Sequence, residues 1–348
     1  MKLLVFNYSM NGASQVFSHQ RRIVGELSRY FSHIDVITAE TFSDSDIDKV
    51  SVSSTGWKSG RNFTNIFSFY RISIPLLIKH RGGVVFSHMT EVQTFLTVII
   101  CKVLRIKHLL WYAHKSASPY LAFSYPFLDA VITSTSGSCP IRGKKVIPIG
   151  QAVDTEMFQN SIREPDFPPK SWYHVGRIDP SKNIEAIIEA LKTFRKESPT
   201  ISLNFYGTAS SEATSQYMES IRTRFGSTDY VEWVHFHGPI KHSQLVDISM
   251  RHDGFIHAFW GSLDKALVEA IMLKRIVVSS NPEYLREFLS QEGNKGNTVA
   301  ELTKQLHRLY HTSKQDTFSE IQRKYDFACT NHGLQNWINR LVSLLKEN

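Results

Sequence analysis

Residues 254–280 read GFIHAFWGSLDKALVEAIMLKRIVVSS. An apolar run rich in aromatic and β-branched residues enters, and Trp260-Gly261-Ser262 breaks it. Apolar positions then recur at helical spacing through Leu273 before a second β-rich run begins at Ile276. This is strand, loop, helix and strand in close succession, the unit from which parallel α/β sheets are built. Ser262 is the expected N-cap, with Asp264 in the first turn complementing the helix dipole. Free amides of that turn can face a ligand, and Glu269 lies one and a half turns further on, where its carboxylate can accept hydrogen bonds from vicinal hydroxyls. The alternative for Glu269 is an i,i+4 pair with Lys265, in the weaker orientation and worth only a few tenths of a kcal/mol.

The same alternation extends in both directions. In the first half, strands are expected at Lys2–Phe6, Ile34–Thr38, Gly83–Phe86, His108–Tyr112, Ala130–Thr133 and Lys145–Ile149. Helices are expected near Ser14–Tyr30, Phe63–Lys79, Glu91–Leu104 and around Tyr120. The stretch 149–175 loses its apolar period and carries Pro165, Pro168 and Pro169, so it reads as a linker. A second series follows, with strands at Trp172–Val175, Ile201–Tyr206, Val231–Phe236, Gly254–Phe259 and Ile276–Ser279. Helices between them are expected at Ile184–Glu197, Glu212–Phe225, His242–Arg251 and Leu263–Leu273, and amphipathic helices complete the chain. The expected architecture is α/β: two Rossmann-like, doubly wound domains, 1–165 and 166–348, facing across a cleft. The last helix is expected to pack back toward the first domain.

The 348-residue length suits two domains of about 150 residues each. Hydrophobic content of 42% with 21% charged residues excludes a disordered chain. No window reaches the roughly 20 apolar residues of a membrane span, and the opening MKLLVFNYSM reads as a buried strand rather than a signal peptide. Cys101, Cys139 and Cys329 lack metal-ligand spacing and read as reduced cytosolic thiols. The net charge of +8 admits nucleic acid, anionic lipid or a phosphorylated substrate as partner. Without a dense basic block interleaved with aromatics, nucleic acid is not expected. Residues 57–81, WKSGRNFTNIFSFYRISIPLLIKHR, suit a helix lying on a membrane surface, so a peripheral position at an anionic membrane is one expectation. A core helix with solvated ends fits the same residues, and Pro75 would kink either one.

Ligands of doubly wound sheets sit beyond the carboxyl ends of the strands, so strand-to-helix loops carry the chemistry. In HVGRIDPSKNIEAI (174–187), Gly176 permits a sharp turn, and Arg177 and Lys182 project from one loop beside a helix start. A guanidinium fork and an ammonium point charge placed there suit a pyrophosphate. DSDID at 44–48 has a metal-binding spacing but follows ITAETFS rather than a strand end, and reads as a solvated acidic loop. His235, His237 and His242 cluster without a further ligand, so no metal site is expected.

Taken together, VGRIDPSKNIEAIIEAL, NFYGTA, VHFHGPIKHSQL and GFIHAFWGSLDKALVEAIMLKRIVVSS resemble the second domain of GT-B glycosyltransferases of family 4. FNYSMNGASQVFSHQ, LLWYAH and IPIGQAVDTEMF resemble that family's acceptor domain, so the resemblance runs through nearly the whole chain. It implies a retaining, metal-independent transferase that needs no cofactor and takes a nucleotide-diphosphate sugar as co-substrate. Arg177 and Lys182 would then hold and stabilise the leaving diphosphate, and Glu269, second Glu of the Glu-x7-Glu motif, would bind the ribose. The loop Gly261, Ser262, Leu263, Asp264 and Lys265 would present amides to sugar or phosphate. Gly12 would lie close to the diphosphate, Gly176 would belong to the donor site, His114 would face the donor sugar, and Gly238, Pro239 and Ile240 would frame the base.

The motif's first Glu should fall at 261, where this chain has glycine, which bears on the identity of the sugar; Asp264 or Lys265 could substitute. An inverting enzyme would instead use His114 or His19 as general base. The expected acceptor is a glycan or lipid-linked glycan in surface polysaccharide or glycoconjugate synthesis, on the cytoplasmic side. The rival readings are a catalytically silent nucleotide-sugar-binding or assembly subunit, and a phosphorylase- or epimerase-like enzyme of the same architecture.

Overall fold

A computed structural model of the chain describes residues 1–12, 17–40, 47–58, 62–158, 163–196, 198–226, 228–292 and 298–347. The chain forms two compact units, Met1–Gly150 with Gln335–Asn348, and Gln151–Leu334. The Pro-rich stretch, including the boundary expected after residue 165, lies within the second unit.

The first unit contains β1 (Lys2–Asn7), α1 (Ser18–Leu27), β2 (His33–Thr38), β3 (Val50–Ser54), α2 (Asn62–Lys79) and β4 (Val84–His88). It continues with α3 (Glu91–Val103), β5 (Lys107–Trp111), α4 (Pro119–Ser124), β6 (Ala130–Thr133) and β7 (Val146–Pro148). All seven strands are parallel, in the order β3-β2-β1-β4-β5-β6-β7. Central strands are covered on both faces and therefore read as unbroken apolar runs such as LLVF. Side chains of α2 and α3 meet Leu4, Phe6, Ile37 and Val85 on one face of the sheet, and those of α3 and α4 meet Leu110, Tyr112 and Val131. The opposite face takes the aromatic rings of Phe86, His88 and Trp111, which surround the fully buried Trp337.

Strand β3 is absent from the sequence expectation. Its VSVSS is short, serine-rich and at the sheet edge, and it lacks the apolar run by which central strands are recognised. The expected start of the first helix falls in residues 13–16 and the first part of DSDID in residues 41–46; both segments are outside the described residues. Helix α2 runs continuously through Pro75.

The second unit contains β8 (Ser171–Val175), α5 (Ile184–Arg195), β9 (Ser202–Tyr206), α6 (Glu212–Arg224), α7 (Thr228–Val231) and β10 (Val234–Gly238). Then come α8 (Leu245–Met250), β11 (Gly254–His257), α9 (Lys265–Met272), β12 (Ile276–Ser279), α10 (Pro282–Leu289), α11 (Thr298–His311) and α12 (Lys314–His332). Its five parallel strands run β10-β9-β8-β11-β12. Alternate residues feed two cores: Trp172, Leu203, Phe205 and Ile256 pack with α5 and α11, and Tyr173, Phe255 and Val277 pack with α9, α10 and α12. Residue 231, expected to open a strand, instead ends the short helix α7. Helix α13 (Leu334–Lys346) carries Trp337 and returns the chain to the first unit, as the sequence led one to expect.

In each sheet the first strand of the unit sits between neighbours reached in opposite directions, β1 between β2 and β4, and β8 between β9 and β11. That reversal is where an open α/β sheet leaves a crevice at its carboxyl edge.

Candidate functional site

In the second unit the crevice is flanked by the loops that follow β8 and β11. The neighbouring strand ends are stripped of side chains. Gly176 follows β8, Gly207 follows β9 and Gly238 closes β10, all at positive φ. The Gly176 N–H donates to the Tyr206 carbonyl at 3.0 Å and the Gly207 N–H to the Gly238 carbonyl at 2.7 Å. A Cβ on Gly207 would stand 1.7 Å from the Gly176 carbonyl oxygen, so only glycine fits. Gly207→Ala is therefore expected to lower Tm by about 5–10 °C through overpacking and backbone strain. A melt within 1 °C or so of the parent would show that the two loops part freely.

Between Gly176 and α5 the chain makes a single 3-10 turn at Pro180–Lys182, capped by Asp179, whose Oδ1 accepts the Ser181 N–H at 2.9 Å. Asn183 takes a left-handed conformation and its Nδ2 donates to the Ala258 carbonyl at 2.9 Å, tying this loop to the end of β11. The turn rotates Lys182 inward, where it is 7% exposed, and leaves Arg177 outward with a loose 3.8 Å approach to Asp179. The two cations that the sequence placed together thus differ in setting, one buried and one solvated.

The Lys182 ammonium binds Asp264 Oδ2 and lies 4.1 Å from the centre of the Phe259 ring. The same carboxylate oxygen meets His257 Nε2 at 3.2 Å, and His257 Nδ1 meets Ser279 Oγ at 3.1 Å. Burial alone would raise the Asp264 carboxyl, but the Lys182 charge and the His257 contact hold it well below the usual carboxylate range. Burial lowers His257, with the Asp264 carboxylate opposing, so the imidazole is neutral at pH 7. His174 stacks on it at 5.8 Å and is lowered to about 3, chiefly by burial and then by His257 and Lys182. Its Nδ1 must donate to the Ile256 carbonyl at 3.1 Å, which turns the Nε2 lone pair toward Gly176. A neutral imidazole pair thus lies under one ion pair whose ammonium retains further donors.

Helix α9 begins at Lys265 with Asp264 as its N-cap, accepting the Ala266 N–H at 3.3 Å. This corrects the expected cap at Ser262. Ser262 lies instead in a tight approach whose carbonyl, with that of Phe259, is held by Asn281 Nδ2 at 3.1 and 2.9 Å. Leu263 is buried, and its carbonyl accepts from Gln151 Nε2 at 2.8 Å. A Cβ on Gly261 would stand 2.1 Å from the Phe259 ring, so the ring that covers Lys182 occupies the space of a side chain at 261. Lys265 is half-buried at the start of α9. Glu269, 5% exposed, pairs with His242 Nε2 at 2.8 Å, in place of the expected alternative with Lys265. Pro239 is exposed after β10, and Ile240 packs partly into the core beside α8 and α9.

Gly12 and His114 belong to the first unit. Gly12 lies in the loop after β1, where the Arg21 side chain approaches its Cβ direction at 3.4 Å. His114 is exposed beyond β5, with its ring 5.6 Å from that of Tyr112.

Several residues of the site escaped the sequence reading. His257 and His174 lie on buried strands, where a histidine reads as core, and His242 reads in the sequence as one of a histidine cluster. Asn281 lies two residues beyond β12 and precedes a proline, a cap signature legible in the sequence. Gly207 repeats, one strand on, the strand-then-glycine pattern of Gly176. Among the described residues no group of three His, Cys, Asp or Glu side chains could hold a metal ion.

Residues 158–324 match the model of the family described as glycosyl transferases group 1. No curated protein matches the chain in sequence. Among solved structures it is similar to Anabaena Alr3699/HepE in complex with UDP, at 12% identity and TM-score 0.73, with 99% of each chain covered. It is likewise similar to a glycosyltransferase from Rickettsia africae ESF-5, at 12% identity and TM-score 0.75, covering 99% of this chain and 97% of that one. Sucrose-phosphate synthase (tll1590) from Thermosynechococcus elongatus aligns at 13% identity and TM-score 0.73, covering 99% of this chain and 98% of that one. The two parallel sheets and these likenesses make the chain a protein of the GT-B glycosyltransferase fold, within which residues 158–324 match the glycosyl transferases group 1 family model.

Proposed function

We propose that the protein transfers a sugar, with retention and without a metal, from a nucleotide-diphosphate donor to a hydroxyl of a glycan or lipid-linked glycan. The reading implies the retaining, family 4 type and a role in surface polysaccharide or glycoconjugate synthesis. The observation that carries it is the buried Lys182–Asp264 pair at the β8/β11 crevice, beside the glycine-lined strand ends. Cleaving a sugar–phosphate bond puts negative charge on the leaving diphosphate, and preorganised donors aimed at that charge lower the barrier. Lys182 supplies a fixed ammonium in a dry setting, Arg177 a solvated guanidinium able to fold onto the phosphates, and the Gly176 and 261–265 loops supply backbone approach. The acceptor hydroxyl attacks the face that the phosphate leaves, and a phosphate oxygen takes its proton. Glu269 binds the ribose hydroxyls, with His242 orienting its carboxylate.

A thermal-shift panel of UDP-, GDP- and ADP-sugars in the presence of a chelator tests this. One base class should stabilise the protein, by about 2.7 kcal/mol at a hundredfold excess over Kd, and release of the nucleotide diphosphate should follow when acceptor is added. Stabilisation without any turnover would favour the silent binding subunit, and no response to any donor would sink both readings. Glu269→Gln is expected to weaken binding of the responding nucleotide about tenfold to a hundredfold, through loss of a charge-assisted hydrogen bond. The same variant should bind a simple diphosphate as the parent does.

A further inference from the structure

The first unit carries an unusual concentration of exposed apolar side chains. On α2, Phe63 is 91% exposed, Phe67 74%, Ile74 41% and Ile78 60%. Their spacing of four, seven and four residues confines them to a stripe about 60° wide at 100° per residue. The stripe lies away from Phe69 and Leu77, which α2 buries against the sheet. Helices α3 and α4 continue the layer on the same side. The Tyr70 hydroxyl of α2 donates to the Leu96 carbonyl of α3 at 2.9 Å, and Phe95 of α3 meets the Tyr120 and Phe123 rings of α4 at 5.3 and 4.9 Å. Val103 on α3 is 75% exposed and Phe123 47%.

Charge on this part of the chain is one-sided. Residues 49–128 hold ten Lys and Arg and a single acidic residue, Glu91, a net of +9 within a chain whose total is +8. Arg71, Arg81 and Arg105 are exposed on or next to the same helices. Lys49, Lys79 and Lys102 pair with Asp48, Asp35 and Asp129 outside that stretch, which leaves Arg71, Arg81 and Arg105 as exposed cations of the layer. A layer that displays both aromatic side chains and exposed arginines matches one kind of surface, an interface with anionic headgroups above an apolar interior. Two copies of the chain joined by this face would bring two strongly positive segments together, which opposes self-association. No described helix is long and apolar enough to cross a membrane.

We infer that the α2–α4 layer docks on an anionic lipid bilayer, with α2 lying in the interface. Phe63, Phe67, Ile74 and Ile78 enter the headgroup and acyl boundary, and Arg71 and its neighbours hold the headgroups. A lipid-linked acceptor would then be met at the membrane, but docking itself does not depend on the donor reading.

The experiment is flotation of the full chain with phosphatidylcholine vesicles, with and without 30% or so phosphatidylglycerol, at low and high salt. The chain should float with the anionic vesicles, and salt should weaken that binding. The double variant Phe63→Ser/Phe67→Ser should lower partitioning at least tenfold with an unchanged melt, since both side chains are exposed. Arg71→Glu should remove much of the preference for anionic lipid. Absence of binding to anionic vesicles overturns the inference, as does equal binding by the double variant. Concentration-dependent dimers that the same double variant abolishes would also overturn it, by assigning the face to a second copy.

Discussion

Lys182→Ala is expected to reduce donor turnover by about 10²–10³-fold, the usual cost of removing one preorganised donor from developing oxyanion charge. The substitution has a second consequence that must be separated from the first. Lys182 is the ammonium partner of the Asp264 carboxylate, and Asp264 is largely enclosed beside His257. Removing the cation leaves an uncompensated buried charge, which costs about 3–5 kcal/mol of stability. A loss of activity in Lys182→Ala alone would therefore mix an absent catalytic group with a weakened fold. The double variant Lys182→Met/Asp264→Asn resolves the two. Methionine fills the lysine stem's space, and asparagine is as good a helix cap as aspartate and still presents an oxygen toward His257. This variant should melt near the parent temperature and remain as inactive as Lys182→Ala. If it melts normally and turns over donor within about threefold of the parent, Lys182 is a structural ion-pair partner and the proposed clamp is wrong. Arg177→Ala, on a side chain 67% exposed, should leave the melt unchanged and act on kinetics alone.

The parts of this architecture that the sequence made legible are those whose physics is local. Parallel strands covered on both faces must be apolar throughout, so LLVF, HLLWY and GFIHAF announced themselves, and glycine at a strand end marked where the chain turns. The edge strand β3 has one partner and half-exposed serines, so nothing in VSVSS separates it from a loop. The cap of α9 is hidden in the sequence for a similar reason. Ser262 and Asp264 are both good caps, and the choice between them follows from the contacts of Asp264 with Lys182 and His257, residues distant from it in sequence or carried on another strand. The glycine at 261 shows the limit most clearly. From sequence it is a missing carboxylate; in the structure its place is filled by the Phe259 ring, which also lies over Lys182. That exchange depends on a side-chain direction, which no spacing rule supplies.

Acid should unfold the second unit ahead of the first, and the cause is histidines that fold in the neutral form. His174 and His252 of the second unit are lowered to about 3 and about 4, and His108 of the first to about 3, in each case chiefly by burial. The three are 0%, 5% and 1% exposed, so solvent screening does not dilute the effect. An unfolded histidine binds a proton near pH 6.5 and the folded one does not until the pH reaches its lowered value. Within that window the unfolded chain carries more protons, so stability falls as pH falls, by about 1.4 kcal/mol per pH unit for each such residue. His257 adds to the second unit with the same sign, and the buried His80 to the first. Between pH 6.5 and 4.5, His174 and His252 together remove about 5 kcal/mol, against the 5–15 kcal/mol that holds an ordinary domain together; His108 removes about half as much from the first unit. The depressed carboxyl of Asp264 acts only lower, losing its contribution as pH falls below the ordinary carboxylate range. Hydrogen exchange at pH 7.5, 6 and 5, corrected for intrinsic rates, should show protection in β8, β9 and β11 falling more steeply than in β1, β4 and β5. His174→Phe, though less stable at neutral pH, should flatten the second unit's dependence by about 1.4 kcal/mol per pH unit. Protection that stays level from pH 7.5 to 5, or an unchanged slope in that variant, would mean that these imidazoles are protonated in the folded state or hydrated within it.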